Sequence, residues 1–203
     1  MNRQSLSAHF ATFFLLSIAV VSTAIAQTET TSQPDVSYEA VLQLVSSTSG
    51  DPRGTELPQS LSGLSRRLKD DFGASSFRLS NTLIGRVANN GTVEYKSVSA
   101  LADQTSAQPT FLDWSLVGLK RAETGDQLLH AQSFRFGARV PITTARIKAA
   151  DGGSSDVTNY EHIGLTVNRL SVPLNKPTLV GTLTLPGSAS TLFLVLTVRP
   201  SAY

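Results

Sequence analysis

Apolar and polar side chains alternate along most of the chain after residue 73, in runs separated by turn residues. This two-residue period is typical of β-strands with one buried face, because successive side chains point to opposite sides of a strand. Strands are expected over residues 38–45, 77–88, 92–98, 114–122, 128–140, 160–172, 178–185 and 191–198. The chain is therefore predicted to be mainly β (α+β), with antiparallel sheets in a sandwich or barrel and one packing helix.

The final run is apolar on both faces. Leu192, Leu194 and Leu196 lie on one side of it, while Phe193 and Val195 lie on the other. A strand with two apolar faces is typical of a position where both faces are covered. We expect this strand to be central in its sheet, with packing on each side.

One segment has the periodicity of a helix. Its apolar residues recur at steps of three and four and form a single stripe: Leu57, Leu61, Leu64, Leu68 and Phe72. Pro58 suits the first turn of a helix, and Gly73 suits the left-handed residue just after the last turn. The stripe predicts one amphipathic helix packed against a sheet.

Turn residues indicate how the strands connect. Asn90-Gly91 favours a tight hairpin between the strands at 83–88 and 92–98, because both turn residues tolerate positive φ. Residues 124–126 would join the next two strands, and Pro186-Gly187 would join the last two.

A further polar stretch lies between the strands of the C-terminal half. Residues 145–149 predict a short strand, residues 151–156 a loop, and Gly164 a bend in the long strand that follows. Asp151 and Asp156 could hold Ca²⁺ in such a loop, but their spacing matches no calcium-binding motif. A mobile loop is the preferred interpretation.

The first 26 residues have the pattern of a cleavable secretory signal. Arg3 is the only charge before the apolar stretch at 10–21, and Ala24-Ile25-Ala26 precedes the expected cut. A retained anchor is disfavoured because a membrane span needs about 20 apolar residues. Residues 27–36 are predicted to be a flexible leader. The mature chain should then have no transmembrane helix and lie in the periplasm, in the outer membrane or outside the cell.

The remaining sequence divides into an N-terminal part at 37–107, in the order β-α-β-β, and a β-rich part at 108–203. Beyond residue 26 there are 16 basic and 15 acidic side chains, because Arg3 is the only one of the 32 in the signal. They are spread singly, which argues against nucleic-acid binding. The chain has no Cys, which excludes disulfides, thiolate-bound metals and a Cys nucleophile.

No residue pattern indicates catalysis, a metal or another cofactor. Beyond the signal the chain has two histidines, His130 and His162, and neither has a second ligand at metal-binding spacing. His130 shares its parity with Phe134 and Phe136 and is expected to be a partly buried, hydrogen-bonded core residue, whereas His162 is expected to be exposed. The Ser-rich composition leaves a Ser–His–Asp hydrolase as an alternative, although no Gly-x-Ser-x-Gly elbow is present. We predict that the protein is not an enzyme and uses no cofactor.

The C-terminal part carries an ordered set of short motifs. Residues 134–141, Phe-Arg-Phe-Gly-Ala-Arg-Val-Pro, end a strand in a Gly-x-x-Val-Pro segment. After a polar loop comes Tyr-Glu-His-Ile-Gly-Leu-Thr-Val at 160–167, then a Gly-containing strand at 178–181 and a closing apolar strand at 194–200. Over roughly residues 128–200, their order and spacing resemble the bacterial outer-membrane secretins of type II and type III secretion and type IV pili.

The resemblance implies a sandwich- or secretin-barrel-like arrangement of sheets. Secretins make large homo-oligomeric β-barrel channels through which proteins, pili or phage leave the cell. This chain departs from the family pattern in having one helix, where secretins place several α/β ring-forming modules before the channel. Its segment between the last two strands, residues 185–190, is also shorter. The resemblance therefore implies a reduced, secretin-like envelope protein in place of a complete gated pore.

We expect an exported, non-catalytic assembly component of a protein-secretion or pilus apparatus. Its partners would be copies of itself, in a homo-oligomer, or that machinery, with association to the outer membrane and no binding of nucleic acid. Exposed strand edges would make the contacts. The predicted assembly surface comprises Phe134, Phe136, Gly137, Val140, Pro141, Tyr160, Ile163, Gly164 and Leu165. A stand-alone extracytoplasmic β-sandwich binding module is the main alternative, and the hydrolase is the second.

Overall fold

The computed structural model describes residues 36–48, 57–73, 76–99, 108–122, 127–148, 153–186 and 190–201. All of them belong to the unit Pro34–Tyr203. The predicted signal at 1–26, and the predicted leader up to residue 35, lie outside the described residues.

The described residues form eight strands and one α-helix, arranged as two four-stranded antiparallel sheets. The strands are β1 (Ser37–Thr48), β2 (Ser76–Ala88), β3 (Gly91–Ser99), β4 (Thr110–Arg121), β5 (Leu128–Lys148), β6 (Ser154–Pro173), β7 (Thr178–Thr184) and β8 (Thr191–Pro200). The first sheet has the order β2-β1-β8-β7, and the second sheet has the order β3-β4-β5-β6. The helix, α1, spans Ser62–Phe72 after a single 3₁₀ turn at Gln59–Leu61. The predicted mainly β fold with antiparallel sheets and one helix is confirmed.

The main core lies between the two sheets. The second sheet contributes Trp114, Phe134 and Phe136, and the first contributes Leu42 and Leu194, among other residues that are almost completely buried. Burying each such side chain contributes about 1.5–3 kcal/mol, so this shared core holds the sheets face to face.

A smaller core lies between α1 and the outer face of the first sheet. Leu68 of the helix and Leu61 of the 3₁₀ turn before it pack there against Val45, Phe193 and Val195. The α-helix is shorter than the predicted stripe, because the turn before residue 62 is 3₁₀. It ends as predicted, on a left-handed Gly73 with φ +64°.

The last strand occupies the position that its sequence predicted. β8 lies between β1 and β7, and residues 192–196 are buried on both of its faces. Leu192, Leu194 and Leu196 face the main core, while Phe193 and Val195 face α1. Two apolar faces on one strand therefore correspond to two separate layers of packing.

The Asn90-Gly91 turn does not close a hairpin, so that prediction is wrong. β2 pairs with β1 and β3 pairs with β4, so the turn carries the chain from one sheet to the other. Asn90 has φ +59°, as a turn residue should, but its N–H donates to the Leu119 carbonyl in β4. β2 and β3 do not pair with each other, because the apolar face of β2 packs as part of the first sheet and that of β3 as part of the second.

The hairpins predicted at 124–126 and 186–187 have the expected strand pairs, β4 with β5 and β7 with β8. Strand pairs also cross the sequence boundary at residue 107, since β1 pairs with β8 and β3 pairs with β4. Both parts of the sequence therefore contribute to both sheets.

Candidate assembly surface

The β5–β6 hairpin is longer than the sheet that contains it. Its pairing runs from Leu128 opposite Pro173 to Lys148 opposite Ser154, while the pairing of β4 with β5 reaches only to Arg139. Beyond that residue, the described hairpin continues as a two-stranded ribbon. We call residues 142–148 and 153–159 the arm. At about 3.3 Å per residue, its seven-residue strands extend about 20 Å.

The arm shows that the secondary structure predicted from the sequence for this region is wrong. Residues 145–148 continue β5 and are not a separate strand, and Ser154–Asp156 begin β6 and are not a loop. Residues 149–152 lie outside the described residues. Because these segments contain few apolar residues, their sequence resembles that of a loop. Only their pairing across the two strands shows that they are extended.

Polar contacts join the two strands of the arm. Arg146 and Asp156 form a bidentate ion pair, with Nε donating to Oδ1 at 2.6 Å and Nη2 donating to Oδ2 at 3.2 Å. Asn159 Nδ2 donates to Thr144 Oγ1 at 3.1 Å, and Thr144 Oγ1 donates to the Val157 carbonyl at 3.3 Å. The hydrogen bond from Arg146 lowers the pKa of Asp156, and the same bond raises the pKa of Arg146. Specific side-chain pairs thus fix the register of the arm.

The arm is exposed along most of its length. Residues 143–148 are all exposed, and the side chain of Ile147 is 59% exposed. A two-stranded ribbon without a covered face is marginally stable in water. Within the described residues, β6 pairs along one edge only, with β5. The other edge of such a strand presents backbone N–H and C=O groups to which another strand can pair.

Five of the nine predicted surface residues face the core. Phe134, Phe136 and Val140 are at most 1% exposed, and Ile163 and Leu165 pack against the same core. The prediction that these five side chains form a surface is therefore wrong. They were selected by motif, whereas the two-residue period of β5 and β6 turns them toward the first sheet.

Two of the other four are the glycines Gly137 and Gly164, which pair with each other across β5 and β6. A Cβ on Gly164 would overlap the Phe136 carbonyl oxygen, so this glycine allows a close backbone approach. No register shift accompanies it, and the register shift of the described β5–β6 pairing lies between Thr143 and Ala145. The space above Gly137 is filled by the Asp113 carboxylate, whose Oδ1 would lie 2.7 Å from a Cβ at that position.

The remaining two, Pro141 and Tyr160, pair with each other where the arm leaves the sheet. Pro141 is buried, whereas the Tyr160 side chain is 42% exposed. The Tyr160 ring lies 5.5 Å from the ring of Phe111, which places an exposed aromatic pair at the base of the arm.

Sequence reasoning missed most of the outer face of the second sheet. Val98, Phe111, Arg139 and His162 are in register and form one row across its four strands. The Arg139 guanidinium lies 6.0 Å from the centre of the Phe111 ring, a cation–π distance. His162 is exposed, as predicted. The signal was available, because each of these residues has the parity opposite to the core positions.

The row borders a shallow groove of about 590 Å³. Charged side chains of both signs line it: Glu94, Lys96, Asp113, Arg135 and Arg139. Such a groove offers hydrogen bonds and charges to a partner. Among the described residues, no group of three or more His, Asp or Glu side chains could hold a metal ion.

Comparison with solved structures finds a similarity to the InvG secretin domain β-barrel from the Salmonella SPI-1 injectisome NC-base, at 14% sequence identity and a TM-score of 0.38. The match covers 83% of this chain, and the chain spans 64% of the length of that one. Of the helices in the described ranges, none is long and apolar enough to cross a membrane. No protein-family model matches the sequence, and neither does any curated protein.

Proposed function

We propose that this chain is an exported, non-catalytic protein of the cell envelope that assembles with copies of itself, or with secretion or pilus machinery, through strand addition. The observation that carries the proposal is the arm, an exposed ribbon that extends beyond the sheet. At about 3.3 Å per residue, it is about 20 Å long. Assembly at this edge would provide the strand partners that the arm lacks within the described residues.

The lengths of the edge strands support β6 as the assembly edge. β6 has 20 residues, whereas the other edge strands, β2, β3 and β7, have 13, 9 and 7. Proteins commonly protect an edge with Lys or Pro. From Ser154 to Asn168, β6 contains neither residue. A long edge without these protections is suited to pairing with another strand.

The test compares the purified chain with a variant that lacks most of the arm. Replacing residues 144–157 by Asn-Gly joins Thr143 to its partner Thr158 through a two-residue hairpin turn and leaves the sandwich intact. Light scattering after size exclusion, in buffer and in detergent, gives the mass of each protein. We expect the intact chain to be oligomeric and the shortened chain to be monomeric.

Arg66→Ala is the control, because Arg66 is an exposed residue of α1, away from the second sheet. It should leave the mass of the oligomer unchanged. Assembly that survives loss of the arm would disprove the role of the arm.

The groove supports a second candidate, a stand-alone extracytoplasmic binding module. Its mixed charges and the adjacent Phe111–Tyr160 pair are features by which a folded module can recognise a partner. A chain that is monomeric in both buffer and detergent would favour this candidate over assembly.

A further inference from the structure

The pairing of the second sheet is interrupted at the same level in three adjacent strands. In β4 and β5 the registered pairs pass from Val117–Ser133 directly to Lys120–His130. In β5 and β6 they omit Gln132 and Arg169. The irregularity extends from Gly118 in β4 to Arg169 in β6. Both residues have left-handed backbone conformations, with φ +63° and φ +57°.

The irregularity reverses the side-chain parity of β5. Ala131 and Phe134 both face the core, although they are three residues apart. His130 is therefore half-buried and hydrogen-bonded, as predicted, but it lies on the outer side of the sheet and not in the core. Its Nδ1 lies 2.9 Å from Ser171 Oγ in β6.

Outward-facing polar groups meet at this level and form a second pocket, of about 400 Å³. Lys120, His130 and Ser171 form one row across three strands, and Arg169 lies two residues before Ser171. The Gln132 side chain lies over Gly118, where a Cβ would be 2.6 Å from its Cδ. The pocket thus combines three basic side chains with one amide and one hydroxyl.

Among the described residues, no acidic side chain balances the charges of the pocket. The described residues that line it include no Asp or Glu. In the part of the chain that the structure describes, the ion pairs are Arg146 with Asp156 and Arg199 with Glu39, so neither Lys120 nor Arg169 is in one. Cationic side chains that converge without a counter-ion attract an anion.

The backbone at Arg169 gives a second reason to assign a role to the pocket. A non-glycine residue in the left-handed region is strained, and such outliers concentrate at functional sites. Glycine would adopt this conformation without strain but would not place a guanidinium in the pocket. The strain is explained if the charge is needed there.

We propose that this pocket binds the phosphate group of an anionic ligand. The Arg169 guanidinium can donate two parallel hydrogen bonds to a phosphate, and the Lys120 ammonium adds a point charge. When His130 Nδ1 accepts from Ser171, its Nε2–H is free to donate to the same group. The pocket lies toward the end of the second sheet opposite to the arm, so this binding is independent of the proposed assembly.

The test uses two phosphate sources on the purified full chain. Inorganic phosphate is titrated while the His130 ring resonances are followed by NMR. Co-sedimentation is measured with phosphatidylcholine vesicles, with and without phosphatidic acid. Binding to inorganic phosphate alone identifies a soluble ligand, and binding to the acidic vesicles alone identifies a lipid headgroup; either result supports the pocket if it depends on the pocket residues.

The pocket variants are Lys120→Gln with Arg169→Gln, and separately Arg169→Gly, which removes the charge while suiting the left-handed backbone. Each should weaken binding by about tenfold or more, as expected for loss of charge-assisted hydrogen bonds. Arg86→Gln, at an exposed position on β2, is the control of equal charge to the single variant and should change binding less than about twofold.

Two results would overturn the proposal. One is the absence of binding to both phosphate sources. The other is equal weakening by Arg86→Gln and by Arg169→Gly, which would indicate attraction by net charge without a site. The arm-shortened chain should bind phosphate normally, so failure of the assembly proposal and failure of this one are distinguishable.

Discussion

The two sheets share one core but differ in what covers their outer faces. Part of the outer face of the first sheet is apolar and is covered by α1, with Phe193 and Val195 buried beneath it. The outer face of the second sheet carries charged and aromatic side chains, including Arg139, Phe111 and His162, around a groove. A covered face contributes packing energy, whereas a face left in water can contact a partner. Among the described residues, the helix therefore covers part of the first sheet and leaves the outer face of the second sheet exposed.

The strongest test of this contrast compares a phenylalanine from each outer face. Phe193 is 1% exposed and contacts the rings of Phe72 and Phe77 edge-on, at 5.0 and 5.7 Å. Phe193→Ala should lower the free energy of unfolding by about 3–5 kcal/mol because it leaves a cavity beneath α1.

Phe111, which is 41% exposed, is the matched position on the second sheet. Phe111→Ala should cost about 0.5–1.5 kcal/mol, since it removes only a ring pair and partial burial. Chemical denaturation measures both changes. Equal losses would show that the second outer face is as much a part of the core as the first.

Two glycines sharpen the comparison at the backbone. In Gly164→Ala the new methyl group meets the Phe136 carbonyl oxygen, which belongs to a paired strand and cannot move freely. We expect a loss of about 1–3 kcal/mol, measured by thermal unfolding.

Gly63→Ala in α1 is the counterpart, because no atom lies within 4 Å of the added methyl group. It should raise stability by about 0.5–1 kcal/mol through helix propensity. A neutral Gly164→Ala would mean that β5 and β6 approach less closely than the structure shows.

A smaller effect is expected from relieving strain in the second sheet. Arg169→Gly should stabilise the chain by about 0.5 kcal/mol, because glycine adopts positive φ without the cost paid by arginine. Arg135→Gly, in the regular part of β5, should instead destabilise it by about 0.5–1 kcal/mol. Opposite signs in denaturant midpoints would support the strained backbone, and matching signs would argue against it.

The smallest effect concerns the ion pair of the arm. The folded pKa of Asp156 is lowered by Arg146, so the contribution of the pair is fully present above the unfolded pKa. It is lost as the pH falls through the lower, folded value. Because both side chains are exposed, the global stability should hardly change.

The signature of this loss is local. The NMR signal of Arg146 Nε–H should titrate at acidic pH together with the arm amides. Asp156→Asn should abolish this titration. A titration that persists in the variant would show that another group controls the arm.

The candidate site was only partly predictable. The alternation in β5 and β6 was visible in the sequence, and parity alone could have excluded Phe134 and Phe136 from the surface. The position of His130 could not be obtained in this way, because a local irregularity between Ala131 and Phe134 shifts the parity that the prediction assumed. An irregularity of this kind depends on neighbouring strands and leaves no fixed pattern in its own.

The arm shows the same limit. Its residues are polar and include few that favour strands over loops, so Ser154–Asp156 resembled a loop until their partners were known. The partners are 6 to 10 residues away, and specific pairs such as Arg146 with Asp156 determine the register.

The sequence by itself determined the β-rich class, most of the strand segments, the helix end at Gly73 and the central place of β8, because these follow from local periodicity and from residues with restricted backbone angles. Tertiary structure alone decided that Asn90-Gly91 passes between sheets, that α1 covers part of the first sheet and that no other described element covers the outer face of the second. Those outcomes depend on which apolar faces pack together over long sequence distances, and the packing energy of the whole chain outweighs the preference of any one turn.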